Sequence, residues 1–533
     1  MTITRRQFFQ SSLLAGAGLM LGPAKNSVNG TKSSFFSVNP FILHNPDSVF
    51  IMKTNVDIKT NSSAIKSAGL EFGRSVFGLS DNPDEGIPLT HKIVIKPNLT
   101  CRARGSSQYT IERSMGIVTD ASFVEGIIES LKELSIPAGQ FYIREVNCAD
   151  DFSDGGYTQM AARTGIDLKG IDTPANALSP GMVQWIDVPN GVWFKKIPYL
   201  WPVNAPETFL LNIAKFKAHG MGMTLCAKNL QGTIAMNYQA HCTAYGNSME
   251  GVYSGHLNPM ANEDILANYN RHLNKSVPRW DRPGSTGGLW QETWATRCLD
   301  NNSVTFAGLH IIEGIYGRDG NFLEGPNPQN LANDYMTNYI IFGRNQFYVD
   351  IIGHYLAGHE PGNFGLFHMA LERGMITTFN PMDIPVYEWT TGKGQSLADL
   401  TDFQRYPLKT YYLQRDYNGQ NEPYWHLVNE PYYYNTTGID TLPDNSKDFY
   451  LNQNFPNPVL NATTLTFNIP GNGHVKLEIM NNNGQVIDVL VNKQLSYGEH
   501  TVSWNRRNNP SGFYICRLQF GGSSRTQKMM VLQ

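Results

Sequence analysis

Charge is scarce in this chain. Only 16% of its 533 residues are Asp, Glu, Lys or Arg, against roughly 25% in an average globular protein. Net charge is −3, and no basic block or aromatic-interleaved basic stripe occurs, which argues against nucleic acid as a partner. Six cysteines, Cys101, Cys148, Cys226, Cys242, Cys298 and Cys516, are too sparse for a disulfide scaffold. None forms C-x-x-C, so zinc-ribbon and ferredoxin-type iron–sulfur spacings are absent. No apolar run reaches transmembrane length. G-x-S-x-G, H-E-x-x-H and cysteine-nucleophile signatures are missing as well. What remains is a chain with 41% hydrophobic residues, long enough for two or three domains and a large core.

The N-terminus has the layout of a signal peptide. Thr4-Arg5-Arg6-Gln7-Phe8-Phe9 precedes a short apolar run from Ser11 to Leu21, and Gly22-Pro23-Ala24 supplies small residues at its exit. The paired arginines followed by two phenylalanines resemble a twin-arginine signal. That resemblance implies export of an already folded protein and puts the signal peptide at residues 1–24.

Between residues 35 and 438 the pattern predicts an α/β domain. Lys92-Ile93-Val94-Ile95 reads as a strand. Phe123, Val124, Ile127, Ile128, Leu131 and Leu134 share one helical face behind Asp120 as N-cap. Gln140 to Val146 reads as a second strand, so strand, helix and strand form a βαβ unit. Further strands are expected at Thr208–Ile213 and Val304–Ile312, and helices at Phe347–Leu356 and Phe367–Arg373. Tyr238 to Leu299 shows no clear period. Val386 to Pro443 reads as loops. The expected fold is an open, mostly parallel sheet with flanking helices.

After a linker at residues 439–450, residues 451–533 read as a small immunoglobulin-like β-sandwich of six or seven strands. Leu465-Phe467-Ile469, Val475-Leu477-Ile479, Val502-Trp504, Phe513-Ile515-Leu518-Phe520 and Met529-Val531 alternate as strands do, and Asn483-Gly484 marks a hairpin. Asn454-Phe455-Pro456-Asn457-Pro458, Gly498-Glu499-His500, Pro510-Ser511-Gly512-Phe513-Tyr514 and Lys528-Met529 together resemble the type A C-terminal sorting domain of the type IX secretion system of Bacteroidetes. This implies passage through the periplasm and delivery to the cell surface or beyond. The two export machineries would then be partners, and the tail would have no catalytic role.

Ligands of open parallel sheets bind outside the carboxyl ends of strands, and polar residues crowd those ends here. Lys96 and Asn98 follow the first strand, Glu145 the second, Lys215, Lys217 and His219 the third, and Glu313 the fourth. Lys215-Phe216-Lys217-Ala218-His219-Gly220-Met221-Gly222 is the densest candidate. Its glycines permit close backbone approach and its ammonium groups suit an anion. With Lys96, Lys228 and Asn229 it forms a candidate substrate site. His219, Lys217, Glu145 and Glu313 are the candidate catalytic groups. His219, Cys226, His241 and Cys242 offer donors for a transition metal such as zinc, iron or copper, although their spacing fits no standard finger. The loop from Gly317 to Pro326 could close over the same edge.

Lys92 to Leu99, Asn212 to His219, Lys228-Asn229-Leu230-Gln231-Gly232, Asp350 before Gly353, Gly358-His359-Glu360-Pro361 and Ala370 to Gly374 resemble the domain-of-unknown-function family 362, over about residues 92–374. The resemblance groups Lys96, Asn98, Lys217, His219, Lys228, Asn229 and Asp350 in one functional region. Many members are described as iron–sulfur proteins, but this chain lacks their cysteine pattern and that function does not transfer. The leading expectation is an exported enzyme acting on an anionic substrate, with Lys217 and Lys228 holding the anion and His219 moving protons or binding a metal. The alternative is a surface glycan- or peptide-binding protein that uses Trp280, Trp290 and Trp294 as an aromatic platform.

Overall fold

The computed structural model describes residues 33–99, 115–145, 151–170, 182–220, 222–223, 225–235, 261–280, 288–411, 425–434, 449–469, 473–481, 485–495, 498–520 and 523–532. The chain divides into two compact units, Met1–Tyr432 and Tyr433–Gln533. The first is built on a mixed sheet. Its strands are β1 Val49–Lys53, β2 Lys92–Pro97, β3 Phe141–Arg144, β4 Asp167–Lys169, β5 Thr208–His219, β6 Leu309–Arg318, β7 Asp334–Gly343, β8 Val386–Thr390 and β9 Gly394–Leu397. Their spatial order is β9-β8-β1-β7-β6-β5-β2-β3-β4, and a two-residue strand, Gly222–Met223, folds back on β5. The run β6-β5-β2-β3-β4 is parallel throughout. β7 lies antiparallel between β6 and β1, and β8 is parallel to β1. The expected parallel sheet is therefore present, extended by a mixed half.

Both faces of the sheet are covered, as parallel strands require. On one face Ile93, Ile95, Ile143, Leu211, Ile213 and Ile311 pack against α1 Ser62–Val76 and α2 Ala121–Glu133. Asp120 caps α2 as expected, its Oδ1 accepting from the Ser122 amide at 2.8 Å. The two helices touch backbone to backbone. A Cβ on Gly69 would lie 2.2 Å from the Phe123 carbonyl oxygen, and one on Gly126 the same distance from the Lys66 oxygen, so neither position admits a side chain. On the opposite face Ala214, Phe216 and Ile312 meet α3 Cys226–Asn229, α5 Gly288–Asn302 and α6 Gln346–Leu356. Alternation along β5 sends odd and even positions to different layers.

Three sequence expectations need correction. β5 does not end at Ile213 but runs to His219, and β6 covers Leu309–Arg318 rather than beginning at Val304. Lys215, Lys217 and Glu313 therefore lie within buried strands, not on solvated strand ends. The region from Tyr238 to Leu299 holds two helices, α4 Ala261–Asn274 and α5, and the supposed loops after Val386 supply the edge strands β8 and β9. Finally, Trp280 and Trp294 are core residues at 0% and 2% exposure, with the Trp280 Nε1–H directed at Glu292, which also binds His272 Nδ1 at 2.6 Å. They present no platform to a glycan, and the Trp290 side chain lies outside the described residues.

The second unit is all β. Strands β10 Tyr450–Leu451, β11 Ala462–Ile469 and β14 Gly498–Asn505 form one sheet. Strands β12 Gly473–Asn481, β13 Val486–Leu495, β15 Gly512–Phe520 and β16 Ser523–Val531 form another, in the order β13-β12-β15-β16. All pairings are antiparallel. Leu465, Phe467, Ile469, Val475, Leu477, Ile479, Trp504 and Leu518 share one buried core, as the alternation predicts for an immunoglobulin-like sandwich. β12 and β13 pair as expected on either side of Asn483-Gly484, and those two residues lie outside the described ones.

Candidate functional site

The carboxyl half of β5 is the axis of the candidate site. In register, Asn212 lies beside Lys96 of β2, Lys215 beside Glu313 of β6, and Lys217 beside Arg318. On the α3 side, Lys96 is buried and its Nζ donates to Glu145 Oε2 at 2.5 Å, to the Pro97 carbonyl and to Asn229 Oδ1 at 3.0 Å. Asn229 returns its amide to the Lys96 carbonyl and to Asn212 Oδ1, at 3.0 and 2.8 Å, and accepts from Asn98 Nδ2 at 3.3 Å. One amide thus fastens α3 to two strands. Gly232 lies against this knot, where a Cβ would meet Glu145 Oε1 at 2.0 Å.

On the opposite side Lys215 and Glu313 form a second buried pair, Nζ to Oε2 at 2.7 Å. The Asp120 and Ile315 amides also donate to Glu313, each at 3.2 Å. The Lys215 ammonium sits 3.3 Å from the centre of the Tyr316 ring, whose hydroxyl donates to Asp120 Oδ2 at 2.8 Å. Burial pushes the Glu313 carboxyl up and the Lys215 ammonium down, and their attraction opposes both shifts. Both lysine–glutamate pairs are therefore internally satisfied. Arg318 is matched too, with Nε and Nη2 donating to Asp334 at 2.7 and 2.8 Å.

Lys217 differs from these neighbours. It is 3% exposed, and neither a hydrogen bond nor an ion pair holds its Nζ among the described residues. Its Nζ lies 5.8 Å from the centre of the Phe322 ring. Burial holds its ammonium well below the ordinary lysine range, and Lys228, Arg318 and Lys215 push it further down against Glu145. Lys228, half-buried on α3, has no ion pair among the described residues either. His219 lies two positions beyond Lys217, and its ring is 5.3 Å from the same Phe322 ring. Burial, then the charges of Lys228 and Lys217, hold its imidazolium well below the ordinary value, so the ring is neutral at pH 7. Phe322 reaches this place with φ at 57°, a left-handed conformation that bulky residues adopt only under external constraint.

The loop after β6 packs over this edge, as the sequence suggested. The Gly220 amide donates to Asn321 Oδ1 at 3.2 Å, and the Gly320 amide to the Lys409 carbonyl at 2.8 Å. The Gly220 N–H is consumed inside the protein, so it does not serve as an anion cradle. Asp350 is a capping residue. Its carboxylate accepts from the Cys226 and Ala227 amides at 2.7 and 2.8 Å. Burial raises its pKa to about 7 against those bonds.

Of the four candidate metal ligands, His219 and Cys226 lie among the described residues. Cys226 is fully buried, donates towards the Ile311 carbonyl at 3.6 Å, and has its thiol held well above the ordinary range by burial and by Asp350. His241 and Cys242 lie outside the described residues, and no cluster of three or more metal-binding side chains occurs among the described ones. Sequence reasoning missed Asn212, Asp120, Tyr316, Arg318 and Phe322. The sequence marks Asp120 only as a cap and Arg318 only as part of a loop. A cavity of about 650 Å³ lies elsewhere, lined by Asn39, Glu71, Arg74, Trp389 and Gly392 among others, and touches none of the candidate residues.

Fold and site together define an α/β protein with a lysine-rich sheet edge and an attached β-sandwich. Residues 93–354 match the family described as Domain of unknown function (DUF362), and residues 453–532 match the Secretion system C-terminal sorting domain. The central region thus resembles the first family and the C-terminus the second, and the sorting domain implies type IX export to the cell surface or extracellular space. No curated protein matches the chain. Among solved structures, PorZ of Porphyromonas gingivalis, titled an essential bacterial surface component of the type-IX secretion system, is similar at 17% identity with a TM-score of 0.12. That likeness covers 16% of this chain and 11% of PorZ. The Ig1 domain of mouse SynCAM 2 is similar at 20% identity and a TM-score of 0.11, covering 15% of this chain and 92% of that one. No helix among the described residues is long and apolar enough to cross a membrane.

Proposed function

We propose that this is an exported enzyme whose α/β domain takes up a small anionic substrate at Lys217 and Lys228, beside His219. One observation carries the reading. Lys96, Lys215 and Arg318 each have a carboxylate within 2.9 Å, whereas Lys217 is equally buried and has none among the described residues. Holding an ammonium out of water without a counter-charge costs several kcal/mol. A ligand that brings the missing negative charge recovers that cost. The neutral His219 imidazole beside the same ring suits proton transfer, and the loop carrying Phe322 shields the pair from water. A twin-arginine signal at residues 1–24 would deliver the domain already folded, and the sorting tail would then carry it outward.

The test is a thermal-shift series with phosphate, sulfate, citrate and pyruvate on the folded protein and on Lys217→Met and Lys228→Met. One or more of these anions raises the melting temperature of the parent and loses most of that effect in both variants. Equal shifts in parent and variants would contradict the reading.

A further inference from the structure

We propose that Lys217 is a nucleophilic amine that condenses with the carbonyl group of a small oxo acid to form an imine. The inference rests on the anion-binding reading above and names the substrate class of that site.

Three features of the geometry lead there. First, Lys217 differs from the buried lysines around it in its bonding. Lys96 spends its N–H groups on Glu145, Pro97 and Asn229, and Lys215 is bound to Glu313. Neither can offer a lone pair. Lys217 has no hydrogen bond or ion pair among the described residues, and its amine lies towards the Phe322 ring. Second, the groups around it are cations. Arg318 is its register neighbour on β6 and Lys215 lies two positions back on β5, and with Lys228 they oppose its protonation as burial does. A desolvated lysine beside other cations is the arrangement that yields a reactive amine near neutral pH. Third, the remaining groups match the two ends of an oxo acid. Lys228 is half-buried, its charge acts on both Lys217 and His219, and its ammonium suits the carboxylate. His219 flanks the same aromatic ring as Lys217 and is held neutral, ready to take a proton and return it.

The chemistry balances without an added oxidant or reductant. The Lys217 lone pair attacks the carbonyl carbon, and the C=O π electrons pass to oxygen. His219 carries the amine proton to that oxygen, giving a carbinolamine. Protonation of the hydroxyl then expels one water as the nitrogen lone pair closes the C=N bond. The sum is carbonyl compound plus lysine amine plus one proton, supplied by solvent, giving iminium plus water. The iminium keeps the positive charge at the Lys217 position, and the carboxylate answers Lys228.

The test uses the purified full chain with pyruvate and 2-oxoglutarate in the presence of cyanoborohydride, followed by peptide mass spectrometry. The expected result is a reduced adduct on the peptide carrying Lys217, at least tenfold above any other lysine. Lys217→Arg keeps a cation and removes the adduct. His219→Gln slows adduct formation severalfold while the thermal shift given by phosphate stays. Labelling spread evenly over surface lysines, or unchanged in Lys217→Arg, would overturn the imine. If phosphate still stabilises the parent and not Lys217→Met in that case, anion binding stands without covalent chemistry. If no anion stabilises the parent and no adduct forms, both readings fall together.

Discussion

Two lysines, two positions apart on β5, should respond to the same substitution with opposite signs. Lys215→Met leaves Glu313 buried with only the Asp120 and Ile315 amides. Removing one partner of a buried pair costs about 3–5 kcal/mol. Lys217→Met leaves no orphan, because the described residues hold no carboxylate against it, and it removes an ammonium that is costly to bury. Replacement of buried charge by an apolar side chain of similar volume stabilises by about 1–4 kcal/mol. Unfolding entropy of about 2.1 cal/mol/K per residue over a unit of roughly 400 residues gives about 0.8 kcal/mol/K. The melting temperature should then rise about 1–5 °C in Lys217→Met and fall about 4–6 °C in Lys215→Met. The sign with pH follows from linkage. The folded-state pKa of Lys217 lies well below its ordinary 10.5, so between those values the unfolded chain binds more protons and stability rises with pH. The advantage of Lys217→Met is therefore largest below the folded pKa and fades as pH approaches 10.5. Calorimetry of the parent and both variants without added anion, across pH, measures this. A destabilised Lys217→Met at neutral pH, similar to Lys215→Met, would refute the claim that Lys217 is uncompensated.

Asp350→Ala should destabilise by about 2–4 kcal/mol, since two buried amides at the start of α3 lose their acceptor; denaturant unfolding reads it. In the parent, the Asp350 carboxyl has its pKa raised to about 7, so its contribution to stability declines as pH rises from the ordinary 3.8 towards 7. That slope should be missing in Asp350→Ala. The His219 ring should stay neutral well below pH 6.5, and Lys228→Met should raise its titration midpoint because that cation opposes protonation; proton or nitrogen NMR of the ring follows it. Deleting residues 453–532 should abolish surface or extracellular delivery in the native host while leaving the first unit folded, which cell fractionation with circular dichroism of the truncated protein would show.

How far the sequence discloses this arrangement depends on the residue. Lys96 and Glu145 are legible because each sits at or just past the end of a short, strongly apolar run. Alternating apolar residues likewise exposed the tail. Lys215 and Lys217 were noticed for their charge, but their burial was hidden. The period that marks β5 stops at Ile213, since a strand covered on both faces accepts Lys wherever a partner waits across the sheet. Only the register that sets Glu313 beside Lys215 separates the matched lysine from the unmatched one, and register is a tertiary property. β7 and the helices α4 and α5 escaped for a related reason. In α5, buried polar groups such as Glu292 and Asp300 interrupt the apolar period, and tertiary hydrogen bonds satisfy them. Cys226 shows the reverse failure, a chemically suggestive residue that the fold places in an apolar layer.

The most direct measurement is a crystal structure of the protein soaked in selenate, read by anomalous scattering. The account predicts one anion bound between the ammonium groups of Lys217 and Lys228, with Lys96 and Lys215 still paired to Glu145 and Glu313. An empty position there, with Lys217 paired to a carboxylate of the chain itself, would contradict it.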